Sequence, residues 1–256
     1  MKNKCWVVKI GSALLTNNGK GIDKGLISQW VEQIVELQSH GIDVVLVSSG
    51  SIVEGMKRLG WKEKPRDIHK LQAAAAVGQM GLVQAYEYLF AKHKVQTAQV
   101  LLTRDNLLNS KHFENISATL GNLLEFGIVP VINENDTVAT EEIKFGDNDT
   151  LAALVANFLE AEKLIILTDQ YGVFDDDPRK NNDAELIKKI HFNDEKLERV
   201  AGKTAGALGS GGMYSKVMAA KQAAKSQTIS NIAWGREKDV LTRIYQGEYI
   251  GTLIHC

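Results

Sequence analysis

Cysteine is scarce in this chain: Cys5 and Cys256, at opposite ends of the sequence, are the two it has. That scarcity excludes a disulfide scaffold and a thiolate metal cluster, and both residues read as reduced thiols of a cytoplasmic protein. Proline is nearly as rare, with three residues, and no Ser- or Pro-rich stretch marks a linker, so residues 1–256 read as one domain. No apolar run reaches the length of a membrane span, and the stretch from Met1 to Ile10 has too short an apolar run for a signal peptide. Neither sign of charge dominates: 30 basic and 31 acidic residues leave a net charge of −1, which argues against nucleic acid or a membrane surface as partner. What remains is an ordinary globular composition, 44% hydrophobic and 24% charged, long enough for one large core.

Strand-like and helix-like segments alternate along the chain. Cys5–Ile10, Asp43–Val47, Thr97–Leu102, Ile128–Ile132, Leu164–Leu167, Thr228–Ala233 and Ile250–Ile254 read as strands. Between them, Asp23–His40 carries Ile27, Trp30, Val31, Ile34 and Leu37 at helical spacing, with Gly41 just past its end. Helices are also expected over Ile68–Lys94, broken by Gly78 and Gly81, and over Lys111–Phe126, Leu151–Ala161, Met213–Ser226 and Asp239–Tyr245. Strands joined by helical crossovers predict an α/β fold, a mostly parallel sheet with helices on both faces.

Polar clusters sit where such sheets bind ligands, at the carboxyl ends of strands and the amino ends of helices. After the run Ile128–Ile132 come Asn133, Glu134, Asn135 and Asp136; a second cluster, Gly146-Asp147-Asn148-Asp149-Thr150, stands where an Asp or Thr would cap a helix starting near Leu151. One cluster alone is most simply a capped turn; two flanking one loop point to a site. Lys9-Ile10-Gly11-Ser12 ends a strand in a cation, a glycine and a hydroxyl, suited to an anion but also common in a solvated strand end. Ser48-Ser49-Gly50-Ser51 is a weaker signal of the same kind, and Thr168-Asp169-Gln170 leaves a buried strand beside apolar residues. A glycine-rich run, Gly209-Ser210-Gly211-Gly212-Met213, feeds a helix carrying Lys216 in its first turns, an arrangement that cradles phosphate without matching the P-loop or dinucleotide fingerprints.

Together these segments resemble the glutamate 5-kinase family, within the larger amino-acid kinase superfamily, from Val7 to His255. The most specific matches are Val131-Ile-Asn-Glu-Asn-Asp-Thr-Val-Ala-Thr140, Gly146-Asp-Asn-Asp149, Leu167-Thr-Asp-Gln170, and Gly211-Gly-Met213 with Lys216. The resemblance implies a three-layer αβα sandwich and ATP-dependent phosphorylation of the side-chain carboxylate of L-glutamate, the first step toward proline. By position it implies that Lys9 and Lys216 contact the transferring phosphate and that Asp149 orients the two lysines. Ser49, Asp136 and Asn148 would hold glutamate. Lys9, Gly11, Ser12, Thr168, Asp169, Ser210, Gly211, Gly212, Met213 and Lys216 would hold ATP. It further implies Mg²⁺ carried on the ATP phosphates rather than by protein ligands, a homo-oligomer (dimer or tetramer) and hand-over of product to a glutamyl-phosphate reductase. The chemistry agrees: a carboxylate is already the nucleophile at neutral pH, so no general base is required, and none of the site segments contains histidine.

The chain departs from the family pattern in places. Many members carry a further C-terminal domain of RNA-modification type; this sequence runs to Gly251–Cys256 without it, and activity is expected from the kinase part alone. Ala13 stands where a serine is usual and Ser51 where alanine is common. Asn106 and Ser110 replace a frequent aspartate and arginine in a loop beside the amino-acid pocket, which implies weaker proline inhibition. Two other readings remain open: a superfamily kinase for aspartate, carbamate or a nucleotide, and a non-catalytic amino-acid or nucleotide sensor on the same fold.

Overall fold

The computed structural model describes residues 4–17, 19–108, 110–138, 148–203 and 212–256. Its strands are β1 (Lys4–Ile10), β2 (Ile42–Val47), β3 (Thr97–Leu102), β4 (Val129–Glu134), β5 (Lys163–Thr168), β6 (Lys189–His191), β7 (Ile229–Trp234) and β8 (Thr252–His255). Its helices are α1 (Ser12–Leu15), α2 (Lys24–Ser39), α3 (Ser51–Arg58), α4 (Ile68–Ala91), α5 (Arg104–Leu108), α6 (Ser110–Glu125), α7 (Asp149–Phe158), α8 (Glu195–Lys203), α9 (Met213–Ala224) and α10 (Val240–Tyr245).

The strands form one sheet in the order β3-β4-β2-β1-β5-β7-β8-β6. Every described pairing is parallel except β7 with β8. Alternation along β1 splits the core into two layers. Trp6, Val8 and Ile10 pack with α2, α4 and α10, while Cys5 and Val7 pack with α7 and α9 on the other face. This is the expected αβα sandwich. From β1 the chain builds outward through β2, β3 and β4, then crosses to β5 on the other flank of β1. The reversal opens a crevice at the carboxyl ends of β4, β2, β1 and β5. Lys9 shares its face of β1 with Cys5 and Val7, so it reaches the crevice from the α7–α9 side.

Several boundaries differ from the sequence reading. β4 runs two residues further, so Asn133 and Glu134 pair with Leu101 and Leu102 inside the sheet rather than following it. α7 begins at Asp149, with Asn148 as its N-cap, so Asp149 sits in the first turn rather than at the cap. The final strand starts at Thr252, not Ile250. The short elements α1, α3, α5, β6 and α8 left too little periodicity to be read. No helix among the described residues is long and apolar enough to cross a membrane.

Gly78 and Gly81 do not break α4, which is continuous from Ile68 to Ala91. Gly78 instead lets α3 and α4 approach backbone to backbone: a Cβ there would lie 1.8 Å from the Ser51 carbonyl oxygen, and one at Gly55 would lie 1.7 Å from that of Ala74. Helices in such contact have no side chain to displace, so the backbones themselves must separate. Gly78→Ala is therefore expected to destabilise by about 1–3 kcal/mol or more. In a chain of this size that lowers the melting temperature by several degrees. Gly121→Ala in α6, where a Cβ meets nothing within 4 Å, should be neutral or slightly stabilising. Thermal melts of both variants check this pair.

Candidate active site

The crevice encloses about 310 Å³ and is lined from both layers. At its inner end three charged groups converge. Lys9 arrives from the end of β1, Asp149 from the first turn of α7 and Lys216 from the first turn of α9. Lys9 Nζ lies 2.5 Å from Asp149 Oδ1, and Lys216 Nζ donates to Asp149 Oδ2 at 3.1 Å. All three are buried, Asp149 completely. Ser215, one residue before Lys216, donates its hydroxyl to the same Oδ2 at 2.9 Å. One carboxylate between two ammonium groups leaves a net positive charge in a water-poor pocket, where an anion gains far more than at the surface. Buried ion pairs contribute little net stability, so the cluster is better explained by a ligand than by folding.

The turns around this centre follow from their residues. Gly11 donates its N–H to the Leu167 carbonyl at 3.0 Å, so the amides left in that turn are those of Ser12 and Ala13, the first of α1. At the end of β2 the chain turns through Gly50 at φ +92°, a left-handed conformation glycine adopts without strain, and enters α3. This places Ser49 and Ser51 in the crevice wall. Thr168 and Asp169 line it from the end of β5, with Thr168 Oγ1 donating to Asp169 Oδ1 at 3.1 Å. Gly212 caps α9, and Met213 behind it packs half-buried against the core. Ser210 and Gly211 lie outside the described residues.

The outer end of the crevice has a different character. Asp136 accepts a 2.7 Å hydrogen bond from Ser51 Oγ. Burial pushes its carboxyl above the usual carboxylate range, against the opposing pull of the Ser51 hydroxyl and the Lys64 charge. Lys64 lies in the crevice lining from the exposed segment between α3 and α4. Asn148 and Asn133 form the floor: Asn148 Nδ2 donates to the Ser48 carbonyl at 2.5 Å and to Asn133 Oδ1 at 2.7 Å. Below them the buried Tyr86 hydroxyl, its phenol pushed up by burial, meets Ser48 Oγ at 3.2 Å.

The structure thus brings together Lys9, Gly11, Ser12, Ser49, Asp136, Asn148, Thr168, Asp169 and Lys216 around one crevice, with Asp149 beneath them. Sequence reasoning missed Ser51, Lys64 and Asn133 as contributors. Ser51 was visible as a departure from the family pattern, and Asn133 was noted as polar, but nothing local marks Lys64. Asn106 and Thr103 instead bond each other's backbone N–H groups, a reciprocal cap at the start of α5. A cationic inner end and a mixed acid, amide and lysine outer end suit two anionic partners, one of them a zwitterion.

The family described as the amino acid kinase family matches residues 4–232 of the chain. Glutamate 5-kinase from Hydrogenovibrio crunogenus is 58% identical over 253 residues, covering 99% of this chain and 67% of that protein. Glutamate 5-kinase from Alcanivorax borkumensis is 58% identical over 249 residues, covering 97% of this chain and 66% of that protein. The chain therefore spans about two thirds of the length of these curated relatives. Among solved structures, carbamate kinase from Giardia lamblia bound to AMP-PNP superposes with a TM-score of 0.70 at 15% identity, covering 99% of this chain and 98% of that one. UMP kinase from Bacillus anthracis superposes with a TM-score of 0.66 at 16% identity, covering 100% of this chain and 97% of that one. At those identities the likeness is one of fold.

The raised Asp136 carboxyl has a sign that a melt can read. A carboxyl whose folded value exceeds its unfolded one makes stability fall as pH rises through the interval between them, and stability stays low above it. Asp136→Asn removes that penalty while keeping a partner for Ser51. The variant should therefore melt at or above the parent at neutral pH, with the difference shrinking as pH falls below the ordinary aspartate value. Melting curves from pH 3 to 8, roughly the span over which carboxylates titrate, decide it.

Proposed function

Because the chain belongs to the amino acid kinase family, and within it to the glutamate 5-kinases, we propose that it transfers the γ-phosphoryl group of ATP to the side-chain carboxylate of L-glutamate. The observation that carries this reading is the buried Lys9–Asp149–Lys216 cluster at the end of a crevice whose other end suits an amino acid. The acceptor carboxylate is ionised at neutral pH and needs no base, so the obstacle is repulsion between two anions. Lys9 and Lys216 lower that repulsion and follow the charge as it moves to the bridging oxygen, while Asp149 keeps the two ammonium groups apart and aimed. Ser49, Asp136 and Asn148 bind the amino-acid end, with Asp136 facing the α-ammonium group. Ser12, Thr168, Asp169 and the Ser210–Lys216 segment hold ATP, with Gly11 shaping the turn beneath it.

The donor set fits a magnesium ion that arrives on the nucleotide. Asp149 engages the two lysines through its two oxygens, and the described residues contain no group of three or more His, Cys, Asp or Glu able to hold a metal. Mg²⁺ on the ATP phosphates would supply further charge neutralisation. The product is a reactive acyl phosphate, which supports hand-over to a glutamyl-phosphate reductase; a homo-oligomer and a cytoplasmic location belong to the same proposal by family likeness.

Coupled measurement of ADP release should show turnover with ATP that depends on L-glutamate and not on aspartate, N-acetylglutamate, carbamate or UMP. Turnover with one of the others in place of glutamate would overturn the reading, and ATP binding without any turnover would favour a sensor. The purified chain should carry this activity without an added domain.

Variants separate binding from chemistry. Lys216→Ala should mainly lower kcat, by about 10²-fold or more, whereas Asp136→Ala should mainly raise the KM for glutamate. Steady-state kinetics on variants whose melts confirm folding test the division. A folded Lys216→Ala protein with near-normal kcat would remove that lysine from the transition state.

A further inference from the structure

Gln79 belongs to none of the segments used above. It projects from α4 toward the crevice floor and is 9% exposed. Its Oε1 accepts a 2.7 Å hydrogen bond from Asn133 Nδ2. The amide orientations in this wall follow from backbone groups whose roles cannot be exchanged. The Glu134 N–H donates to one Asn133 side-chain atom at 3.0 Å, so that atom is oxygen, and Nδ2 must face Gln79. The atom Gln79 presents to it is then also an oxygen. At the other end the Ser48 carbonyl can only accept, so the Asn148 atom 2.5 Å from it is Nδ2.

The second proton of that Nδ2 goes to Asn133 Oδ1 at 2.7 Å. Both amide protons of Asn148 are thereby used inside the wall. Its Oδ1 meets no donor among the described residues and makes no cap bond to α7, although Asn148 holds the N-cap position. That oxygen is what Asn148 has left for a ligand in the crevice. Gln79 Nε2, meanwhile, is buried and has no partner among the described residues. A buried unsatisfied donor costs stability, so glutamine here serves something other than stability.

We propose that Gln79 is a positioning residue for the acceptor amino acid. By accepting from Asn133 Nδ2 it stiffens the amide that the Glu134 N–H already orients, and through it Asn148, whose carbonyl oxygen stays available to the α-ammonium group of the acceptor. The proposal rests on the reading of L-glutamate as that acceptor. Without an acceptor at position 79, Asn133 Nδ2 is left unpaired in the wall, the Asn133 amide keeps only its contacts with the Glu134 N–H and Asn148, and Asn148 presents its carbonyl oxygen to the ammonium less rigidly. Phosphate binding at Lys9 and Lys216 is untouched, so the effect falls on one substrate.

Steady-state kinetics with glutamate and ATP varied separately, together with melts, test this on the purified chain, Gln79→Met, Gln79→Glu, Asn133→Ala and the double variant Gln79→Met/Asn133→Ala. Gln79→Met matches the volume, loses the accepting oxygen and removes the unpaired donor. It should raise the KM for glutamate about tenfold or more, with the KM for ATP and kcat within about threefold and only a small change in melting temperature. Gln79→Glu keeps an accepting oxygen and should stay within about threefold of the parent KM. In the Asn133→Ala background Gln79→Met should add less than about twofold, because the group it acts through is gone. A folded Gln79→Met protein with an unchanged KM for glutamate overturns the proposal, and so does Gln79→Glu impaired as severely as Gln79→Met.

Should Gln79→Met fail to fold, the unaltered chain still decides. Its Asn148 side-chain amide protons must be protected from exchange before glutamate is added, and rapid exchange overturns the proposal. If the unaltered chain shows no glutamate-dependent turnover, the reading beneath the proposal fails and the proposal falls with it.

Discussion

Asp149 lies between two ammonium groups, 2.5 Å from Lys9 Nζ and 3.1 Å from Lys216 Nζ, with no exposed surface of its own. The cationic end of the crevice depends on that arrangement. Two lysines brought together without the carboxylate would repel each other in a medium that screens poorly. With it, they share a counter-ion and retain one unit of positive charge. The three groups come from three elements on one face of the sheet, so the α7–α9 layer must pack correctly before the centre exists.

The fold makes this possible through the reversal of strand order about β1. The chain fills one flank of the sheet before crossing to the other, which leaves the carboxyl ends of β1, β2, β4 and β5 bordering one cleft. The charged centre sits on the α7–α9 side of that cleft. The opposite wall is α3, held against α4 by backbone contact at Gly55 and Gly78. Through this contact α4, a helix with no ligand-binding motif of its own, presents Gln79 beneath the floor and steadies Ser51 against Asp136. The two ends of the crevice meet at the start of α7: Asp149 belongs to the electrostatic end, built with β1 and α9, and its neighbour Asn148 to a hydrogen-bonded wall built with β2, β4 and α4.

This division matches the chemistry of moving a phosphoryl group between two anions. Neutralisation requires charge without a proton to exchange, which in the proposed reaction would come from the lysines held by aspartate. Recognition of a zwitterion requires fixed donors and acceptors, which in the proposed reaction would be amides whose orientation is set by backbone groups. The 15–16% identity with carbamate and UMP kinases at TM-scores of 0.66–0.70 shows that the scaffold is retained when little of the sequence is.

The sequence by itself determined the strand–helix alternation, the mostly parallel sheet, and the polar segments that contain Lys9, Asp149 and Lys216, while the roles of those three residues rest on the family resemblance. These are legible because strand and helix periods are local, and because polar residues at strand ends and helix starts are local signals too. Tertiary structure alone decided the remainder. The Asn133–Gln79 bond joins positions 54 apart, Ser51–Asp136 positions 85 apart, and Lys216–Asp149 positions 67 apart. Gln79 lies among alanines on a helix whose glycines look like breaks, and Lys64 in a charged loop that looks merely solvated. Nothing in a window of a few residues records which distant group a side chain will meet. Strand order and helix packing set that distance, and a hydrogen bond forms or fails within a few tenths of an ångström of it.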